Sequence, residues 1–171
     1  MDNKLKWLIP TGAILFGLLI LESQTRYIEQ KIILPLKYRV LNTWLPSIRS
    51  YASKYGLDPA FVAAIMYQES RGNPLAISPA GATGLMQIMP ATGLSVCGLS
   101  LELLKNPAYN IDCGAKYLAD IYKKYGSYEW ASSGYYGGPG TSPAATKGIP
   151  PVYQYVSEVM GHFKNIKSVI V

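Results

Sequence analysis

The chain has 171 residues, a net charge of +6 and a pI near 9.2, and only 15% of its residues are charged. This length predicts one domain with appendages and is too short for two full domains. The basic balance suits an anionic partner, but the Lys and Arg residues are scattered rather than clustered, so no nucleic-acid partner is expected.

The N-terminal region predicts a membrane anchor. Residues 1–6 form a flank with two lysines, and residues 7–22 contain the uncharged run WLIPTGAILFGLLIL. This run is slightly shorter than the ~20 residues that cross a typical bilayer. No small-residue cleavage site and no lipoprotein cysteine follow it, which favours an uncleaved single-pass transmembrane helix over a cleaved signal peptide.

Residues 23–45 predict a membrane-proximal stalk. Tyr27, Tyr38 and Trp44 stand among basic residues, a composition typical of segments near lipid headgroups. An ordinary helix packed on the following domain explains the same residues, and both interpretations remain open. The stalk carries more basic residues than the flank before the anchor, so the positive-inside rule places the rest of the chain on the cytoplasmic side.

Residues 46–165 predict an all-α domain, followed by a short C-terminal tail at 166–171. Apolar residues recur at helical spacing, and no stretch alternates convincingly as a strand would. Asp58 and Pro59 mark the start of a helix that ends before Gly72. Residues 72–98 and 134–151 are rich in Gly and Pro and are predicted to be mainly loop. The other predicted helices cover residues 47–55, 101–104, 111–125, 128–136 and 152–165.

Glu69 is the carboxylate whose position is least expected. It continues the apolar stripe of Val62, Ile65 and Met66 on its own helix, at the point where that helix meets a Gly/Pro-rich loop. Burial against apolar neighbours raises the pKa of a carboxyl, which can then donate a proton near neutral pH. Glycoside cleavage needs such an acid. A buried glutamate in a structural pair is the commoner explanation of the same pattern.

The two cysteines, Cys97 and Cys113, match no zinc, haem or CxxC redox spacing. Since His162 is the single histidine, no His-based metal cluster is expected, and no cofactor is predicted. In a compartment outside the cytoplasm the cysteines could form one disulfide, and two buried thiols are the alternative. His162 is expected to be a surface or packing residue rather than a catalyst.

Four motifs stand out in the domain: QESRGNP (68–74), SPAGATGLMQIMPATG (78–93), NPAYNIDCGAKYL (106–118) and GYYGGPG (134–140). In order and spacing they resemble the motifs of the soluble lytic transglycosylase (SLT) family, which shares its fold with goose-type lysozymes. The resemblance covers roughly residues 46–163. It implies a lysozyme-like all-α fold for the domain that follows the N-terminal transmembrane helix.

The resemblance also assigns roles to individual residues. Glu69 matches the family's catalytic acid and base, and Ser70 follows it and helps to hold the helix end. Tyr136 and Pro151 depart from the family, which has Asn and Glu at these positions, and the departures affect auxiliary glycan contacts rather than the core chemistry. Met86 and Gln87 match cleft-lining positions that contact sugar, and Tyr135 matches the family's tyrosine near the catalytic carboxyl. The residues implied to bind substrate are Ser70, Ser78, Met86, Gln87, Tyr135 and Tyr155.

The activity implied by the resemblance is that of a membrane-anchored lytic transglycosylase acting on peptidoglycan. Glu69 would protonate the oxygen between N-acetylmuramic acid and N-acetylglucosamine. It would then act as the base for the muramoyl C6 hydroxyl, which closes a 1,6-anhydro ring. A muramidase that hydrolyses the same bond, and a noncatalytic peptidoglycan-binding membrane protein, are the alternatives.

The expected partners are peptidoglycan strands, a membrane through the N-terminal helix, and a larger envelope or virion assembly. The sequence does not choose between virus entry, secretion or conjugation, and wall remodelling. A host enzyme of the bacterial inner membrane should face the periplasm, which conflicts with the charges around residues 7–22. A protein of a membrane-containing virion need not obey that rule.

Overall fold

The computed structural model describes residues 11–138, 141 and 150–169. These residues form nine α-helices and no β-strand, which confirms the prediction of an all-α chain. The helices are α1 (Thr11–Ile28), α2 (Leu34–Tyr38), α3 (Leu45–Tyr55), α4 (Pro59–Ser70), α5 (Pro90–Cys97), α6 (Leu101–Leu104), α7 (Pro107–Tyr125), α8 (Tyr128–Gly137) and α9 (Pro150–Val169).

The N-terminal segment is helical from α1 through a π-helical turn (Glu29–Ile33) and α2 to a 3₁₀ turn (Arg39–Thr43). The π-helical turn ends two residues before Pro35, which lies in the first turn of α2 and has no backbone N–H to donate. The large apolar side chains of α1 are exposed; Leu15 and Phe16, for example, are 61% and 66% exposed.

The structure does not show the predicted transmembrane helix. Within the part of the chain that the structure describes, no helix is both long enough and apolar enough to cross a membrane. Residues 7–10 of the predicted anchor lie outside the described residues.

The end of the predicted stalk packs on the domain. Tyr38 and Leu41 are completely buried, whereas Tyr27, Ile32 and Leu36 are exposed. Residues from Tyr38 onward therefore behave as a helical segment packed on the domain. The first part of the stalk carries exposed apolar and basic side chains, as a segment near headgroups would.

The central helix of the domain is α4. Asp58 caps it by accepting a hydrogen bond from the Ala60 N–H at 2.9 Å, and Pro59 occupies the first turn. Residues 60–66 are all buried, with α3 and α9 packed against the helix. Since α4 is apolar on every side, the predicted single apolar stripe was too narrow an interpretation of this helix.

Two boundaries differ from the prediction. Helix α5 lies inside a segment predicted to be mainly loop: Pro90 fits its first turn, and Gly93 lies so close to Leu104 that an added Cβ would come within 2.6 Å of Cδ1. The last helix continues past residue 165, where the domain was predicted to end. Ile166 is completely buried, so the first residues of the predicted tail belong to the domain.

A disulfide joins Cys97 at the end of α5 to Cys113 in α7, with 5.7 Å between the Cα atoms. Of the two alternatives for the cysteines, the structure contains the disulfide. It ties the short helix α5 to the long helix α7, which also packs against α3 and α8.

Candidate active site

Glu69 lies in the last turn of α4 and is mostly buried. The Tyr155 hydroxyl donates a hydrogen bond to its Oε1 atom at 2.5 Å. Burial raises the pKa of Glu69 from its ordinary 4.5 to about 7, and the hydrogen bond from Tyr155 acts in the opposite direction. A carboxyl with this pKa is present in both protonation states near neutral pH, so it can donate a proton and later accept one.

Tyr155 reaches Glu69 from α9 and is 6% exposed. Burial, and after it the charge of Glu69, raises the pKa of Tyr155 well above its ordinary value, so the hydroxyl remains a donor. The ring of Tyr136 packs on the ring of Tyr155, with 4.7 Å between the centroids. The side chain at this departure from the family pattern therefore contacts the partner of Glu69, a contact that sequence reasoning did not predict.

Tyr135 lies near Glu69, as the resemblance implied. Burial, followed by the charge of Glu69, raises its pKa well above the ordinary value. Its hydroxyl donates to the Met86 carbonyl oxygen at 2.7 Å. Tyr135 therefore connects α8 to the turn that contains Met86.

The Met86 side chain is completely buried, which corrects its assignment to the cleft lining. A Cβ added at Gly114 would lie 2.7 Å from the Met86 Cβ and Cγ atoms, so the side chain packs directly against α7. In the structure this side chain belongs to the core, because the glycine leaves a space that the methionine fills. The part of Met86 that bonds the site residues is its backbone.

Asn110, in α7, holds the same turn, and sequence reasoning did not single it out. Its side chain is completely buried and makes three hydrogen bonds to the backbone. Oδ1 accepts from the Met86 N–H at 2.7 Å, and Nδ2 donates to the carbonyls of Thr83 at 2.8 Å and Leu104 at 2.9 Å. Asn110 lies within the NPAYN motif. The sequence signal that could have identified it is a polar residue on the otherwise apolar inner face of α7.

Gln87 lines an open cavity of about 220 Å³, together with Tyr136, whose ring packs on the ring of Tyr155. Its backbone has a φ of +47°, and its Nε2 atom donates to the carbonyls of Ala76 at 3.0 Å and Gly84 at 2.9 Å. The amide is therefore held in one orientation. The residues lining the cavity are Gln87, Ile88, Met89, Thr92, Tyr117, Tyr135, Tyr136 and Gly138.

The two serines implied to bind substrate hold backbone turns. The Ser70 hydroxyl donates to the Leu85 carbonyl at 2.7 Å and accepts from the Gly72 N–H at 3.1 Å. The Ser78 hydroxyl accepts from the Ala82 N–H at 3.0 Å. Both hydroxyls organise the loop beside Glu69, and a direct contact of either with substrate stays a prediction.

Among the described residues, no other carboxylate contributes to the raised pKa of Glu69; its causes are burial and the opposing hydrogen bond from Tyr155. Within the same residues, no three His, Cys, Asp or Glu side chains are grouped closely enough to hold a metal ion. The chemistry that the arrangement supports is proton donation and proton acceptance by the Glu69 carboxyl.

Comparison with known proteins identifies related domains. Residues 46–148 match the family described as "Transglycosylase SLT domain". The chain is 40% identical over 119 residues to "Membrane-bound lytic murein transglycosylase C" of Histophilus somni, which covers 60% of this chain and 33% of that protein. It is 38% identical over 109 residues to "Transglycosylase" of Enterobacteria phage PRD1, covering 63% of this chain and 40% of that protein.

Solved structures show the same fold. An inactive variant of the lytic transglycosylase Slt from Pseudomonas aeruginosa matches with a TM-score of 0.62 and 29% identity, over 72% of this chain and 24% of that one. The 70 kDa soluble lytic transglycosylase of Escherichia coli matches with a TM-score of 0.59 and 29% identity, over 72% and 22%. These matches confirm the lysozyme-like all-α fold. The chain spans about a third of the length of the first curated relatives.

Proposed function

Because the chain belongs to the transglycosylase SLT domain family, we propose that it is a lytic transglycosylase that cuts the glycan strands of peptidoglycan, with Glu69 as acid and base. One observation carries this proposal: the Glu69 carboxyl, whose pKa burial raises to about 7, accepts a hydrogen bond at 2.5 Å from the Tyr155 hydroxyl. The ring of Tyr155 packs against Tyr136, which lines an open cavity. Relatives named lytic murein transglycosylases support the choice of substrate.

The reaction needs two proton transfers at one carboxyl. Protonated Glu69 donates its proton to the oxygen that links N-acetylmuramic acid to N-acetylglucosamine, and the bond from this oxygen to the muramoyl C1 breaks. The resulting carboxylate then takes the proton of the muramoyl C6 hydroxyl as that oxygen bonds to C1. Glu69 ends protonated, and no water is consumed. Tyr155 stabilises the ionised carboxylate between the two transfers by its hydrogen bond.

Ring closure by the C6 hydroxyl is favoured over hydrolysis because it needs one carboxyl alone. An inverting hydrolase needs a second carboxylate to activate water, and a retaining one needs it as the nucleophile. The raised pKa of Glu69 has no contribution from another carboxylate of the described residues. The mechanism through the substrate's own hydroxyl requires nothing beyond Glu69 and its hydrogen-bond donor.

The cavity lined by Gln87, Tyr135 and Tyr136 suits a saccharide. The tyrosine rings that line it offer faces for sugar rings, and Gln87 is fixed by the two hydrogen bonds that its amide N–H groups make to Ala76 and Gly84. Its Oε1 atom is left as the acceptor for a sugar hydroxyl or an N-acetyl N–H. We therefore assign Gln87, Tyr135 and Tyr136 to the substrate cleft.

Digestion of purified peptidoglycan tests the proposal. The full-length chain should release fragments with 1,6-anhydromuramoyl ends, detected by mass spectrometry, and Glu69→Gln should release none. Glu102→Gln, an exposed glutamate on α6 that pairs with Lys105 at 2.7 Å, is the matched control and should keep full activity. Products with reducing ends alone would identify a muramidase instead. Unchanged lysis by Glu69→Gln would refute the role of Glu69, and binding without cleavage by the wild type would indicate a noncatalytic protein.

We also propose that the N-terminal segment, beginning with residues 7–22, holds the domain at a membrane. The supporting observations are the exposed apolar side chains of α1 and the relatives named membrane-bound. In a liposome flotation assay the full-length chain should float, and Leu15→Glu with Leu19→Glu should abolish flotation. Leu94→Glu, on a leucine of the domain that is 68% exposed, is the control and should float like the wild type. Equal flotation of all three would remove α1 from the membrane contact.

The biological setting is a separate proposal. We propose either the bacterial inner membrane with the domain facing the periplasm, or a membrane-containing virion, since the relatives include envelope enzymes and a phage transglycosylase. Recovery of the protein from purified virions would select the second setting, and recovery only from the cell envelope fraction would select the first.

A further inference from the structure

The segment before the matched family region contacts the residues that follow Glu69. The SLT match begins at residue 46, whereas Tyr38 and Leu41 are already completely buried. The part of this segment that concerns the site runs from Tyr38 to Trp44 and is called here the N-terminal brace. Its contacts converge on the chain turn at Arg71 and Gly72, directly after the last turn of α4.

That turn has an uncommon backbone conformation. Arg71 has a φ of +55° and Gly72 a φ of +79°, both in the left-handed region. For a residue with a side chain, such as Arg71, this conformation is uncommon and costs free energy. Three hydrogen bonds lie inside the turn. They run from the Arg71 N–H to the Tyr67 carbonyl at 3.0 Å, from the Gly72 N–H to the Ser70 hydroxyl at 3.1 Å, and from the Asn73 N–H to the Ser70 carbonyl at 3.0 Å.

One end of the brace holds Gly72. The indole N–H of Trp44 donates to the Gly72 carbonyl oxygen at 3.0 Å. Val40 packs on the same residue, and a Cβ added at Gly72 would lie 3.1 Å from a Val40 methyl carbon. Gly72 therefore has the brace against both its carbonyl group and its Cα, and a side chain there would crowd Val40 in a backbone conformation, with φ of +79°, that side chains rarely adopt.

The other end of the brace holds Arg71 through His162. The Tyr38 hydroxyl lies 2.9 Å from His162 Nδ1, and Arg71 Nη1 lies 3.0 Å from His162 Nε2. A guanidinium can only donate, so Nε2 accepts and Nδ1 carries the hydrogen that bonds to Tyr38. The ring of Tyr67 closes the cluster, since it packs at 4.8 Å from both the Tyr38 and the His162 rings, with the Arg71 guanidinium 4.6 Å from its centre.

Helix α9 connects this cluster to Glu69. Tyr155, Glu158 and His162 are spaced by three and four residues, so they lie on one face of the helix. They bond in turn to Glu69 at 2.5 Å, to Gln68 at 2.7 Å and to Arg71 at 3.0 Å. Helix α9 therefore holds one side of the C-terminal end of α4. The N-terminal brace contacts both the turn at Arg71 and Gly72 and the His162 end of α9.

We propose that Tyr38 and Trp44 are positioning residues of the active site: by holding the turn at Arg71 and Gly72 against α9, they keep the Glu69 carboxyl buried against Tyr155. The N-terminal brace, which precedes the matched family region, then helps to set the proton affinity of the Glu69 carboxyl. This inference rests on the proposed role of Glu69 as acid and base.

The inference predicts a change in the proton affinity of Glu69 when the brace is weakened. Tyr38→Phe removes the hydroxyl and Trp44→Phe removes the indole N–H, while both keep an aromatic ring. With the turn loosened, water reaches Glu69, and its pKa falls from about 7 toward 4.5. For the double variant we expect a fall of about one unit, a tenfold change in proton affinity. The titratable groups that face Glu69 are Tyr155 from α9 and Tyr135 from α8, and both are retained.

The test measures the Glu69 pKa directly and needs no substrate. Glutamate labelled with ¹³C at the carboxyl carbon is titrated by NMR in the detergent-solubilised full chain, and Glu69→Gln assigns the signal. Tyr55→Phe is the matched control, because it removes a tyrosine hydroxyl bonded at 2.8 Å to Asp112 at the α3–α7 contact. Thermal unfolding verifies that each variant is folded.

Three outcomes are distinguishable. A lowered Glu69 pKa in Tyr38→Phe with Trp44→Phe, an unchanged one in Tyr55→Phe, and a matching shift of the basic limb of kcat with little change in KM support the inference. A Glu69 pKa equal to that of the wild type in the folded double variant overturns it and leaves Tyr38 and Trp44 with a purely structural role. A wild-type chain that titrates as described but releases no 1,6-anhydro products refutes the proposed function, while the titration still decides the positioning.

Discussion

Replacing Glu69 with Gln should stabilise the folded protein at alkaline pH while removing its activity. Gln is nearly isosteric, can accept the hydrogen bond from Tyr155 and carries no charge at any pH. Wild-type Glu69 must ionise inside the fold, where burial raises its pKa from 4.5 to about 7. Between these two pH values the folded state binds more protons than the unfolded state, so the stability of the wild type falls as the pH rises.

The magnitude follows from the size of the pKa change. A difference between 4.5 and about 7 corresponds to about 3 kcal/mol, since each unit of pKa is worth about 1.4 kcal/mol. Below pH 4.5 both forms are neutral at this position and the variant gains no electrostatic advantage. Above about pH 7 the wild type carries the full cost of ionising Glu69 inside the fold. The free energy of unfolding of Glu69→Gln minus that of the wild type should therefore be about 3 kcal/mol larger there than below pH 4.5.

Urea unfolding followed by tryptophan fluorescence measures this difference, with wild type and Glu69→Gln compared at about pH 4.5 and about pH 8. Comparing the two proteins cancels the titration of groups that they share. Glu102→Gln is the control, because it loses an exposed ion pair worth at most about 1 kcal/mol. A difference between wild type and Glu69→Gln that does not grow with pH would refute the argument that burial raises the Glu69 pKa.

Three further results are expected. Tyr155→Phe should lower kcat by about tenfold, because the charged carboxylate loses one hydrogen bond. It should also move the basic limb of the pH–rate profile to higher pH, because that bond lowers the pKa of Glu69; an unmoved profile would contradict this role. Asn110→Ala should lower the free energy of unfolding by about 3 kcal/mol or more, measured in urea, because three buried backbone groups lose their partner; a loss below about 1 kcal/mol would argue against it. Replacing both Cys97 and Cys113 with Ser should lower the free energy of unfolding by about 3 kcal/mol in the same assay, a value expected for a disulfide between residues 16 positions apart. The rate of the folded enzyme should not change. A lower rate in fully folded protein would show that the disulfide also shapes the site.

The features that the sequence determined by itself are those set by local interactions. Asp58 and Pro59 define the start of α4 because a capping side chain and a fixed φ act within one turn. Gly126 ends α7 for a similarly local reason, since its φ of +69° suits glycine. Glu69 could be found because an acidic residue that continues a buried helix is unusual, and the surrounding motifs resemble those of one family.

Tertiary structure decided what depends on residues far apart in the chain. Tyr155 lies 86 positions from Glu69 and bonds to it only because α9 packs on α4. Met86, predicted to line the cleft, became a core side chain because Gly114 on another helix leaves the space that it fills. Helix α5 could form within a Gly/Pro-rich segment because packing on neighbouring helices stabilises a short helix that its own residues would not.

The contacts around Glu69 show the same division most clearly. Glu69 stood out on its own helix and was assigned through the surrounding motifs, but its proton affinity depends on burial and on Tyr155, which the packing of α4 and α9 supplies. Tyr38 and Trp44 precede the matched family region, and no local pattern connects them to Arg71 and Gly72. Capping and helical periodicity act over a few residues, whereas the pKa of a buried group depends on every segment that excludes water from it.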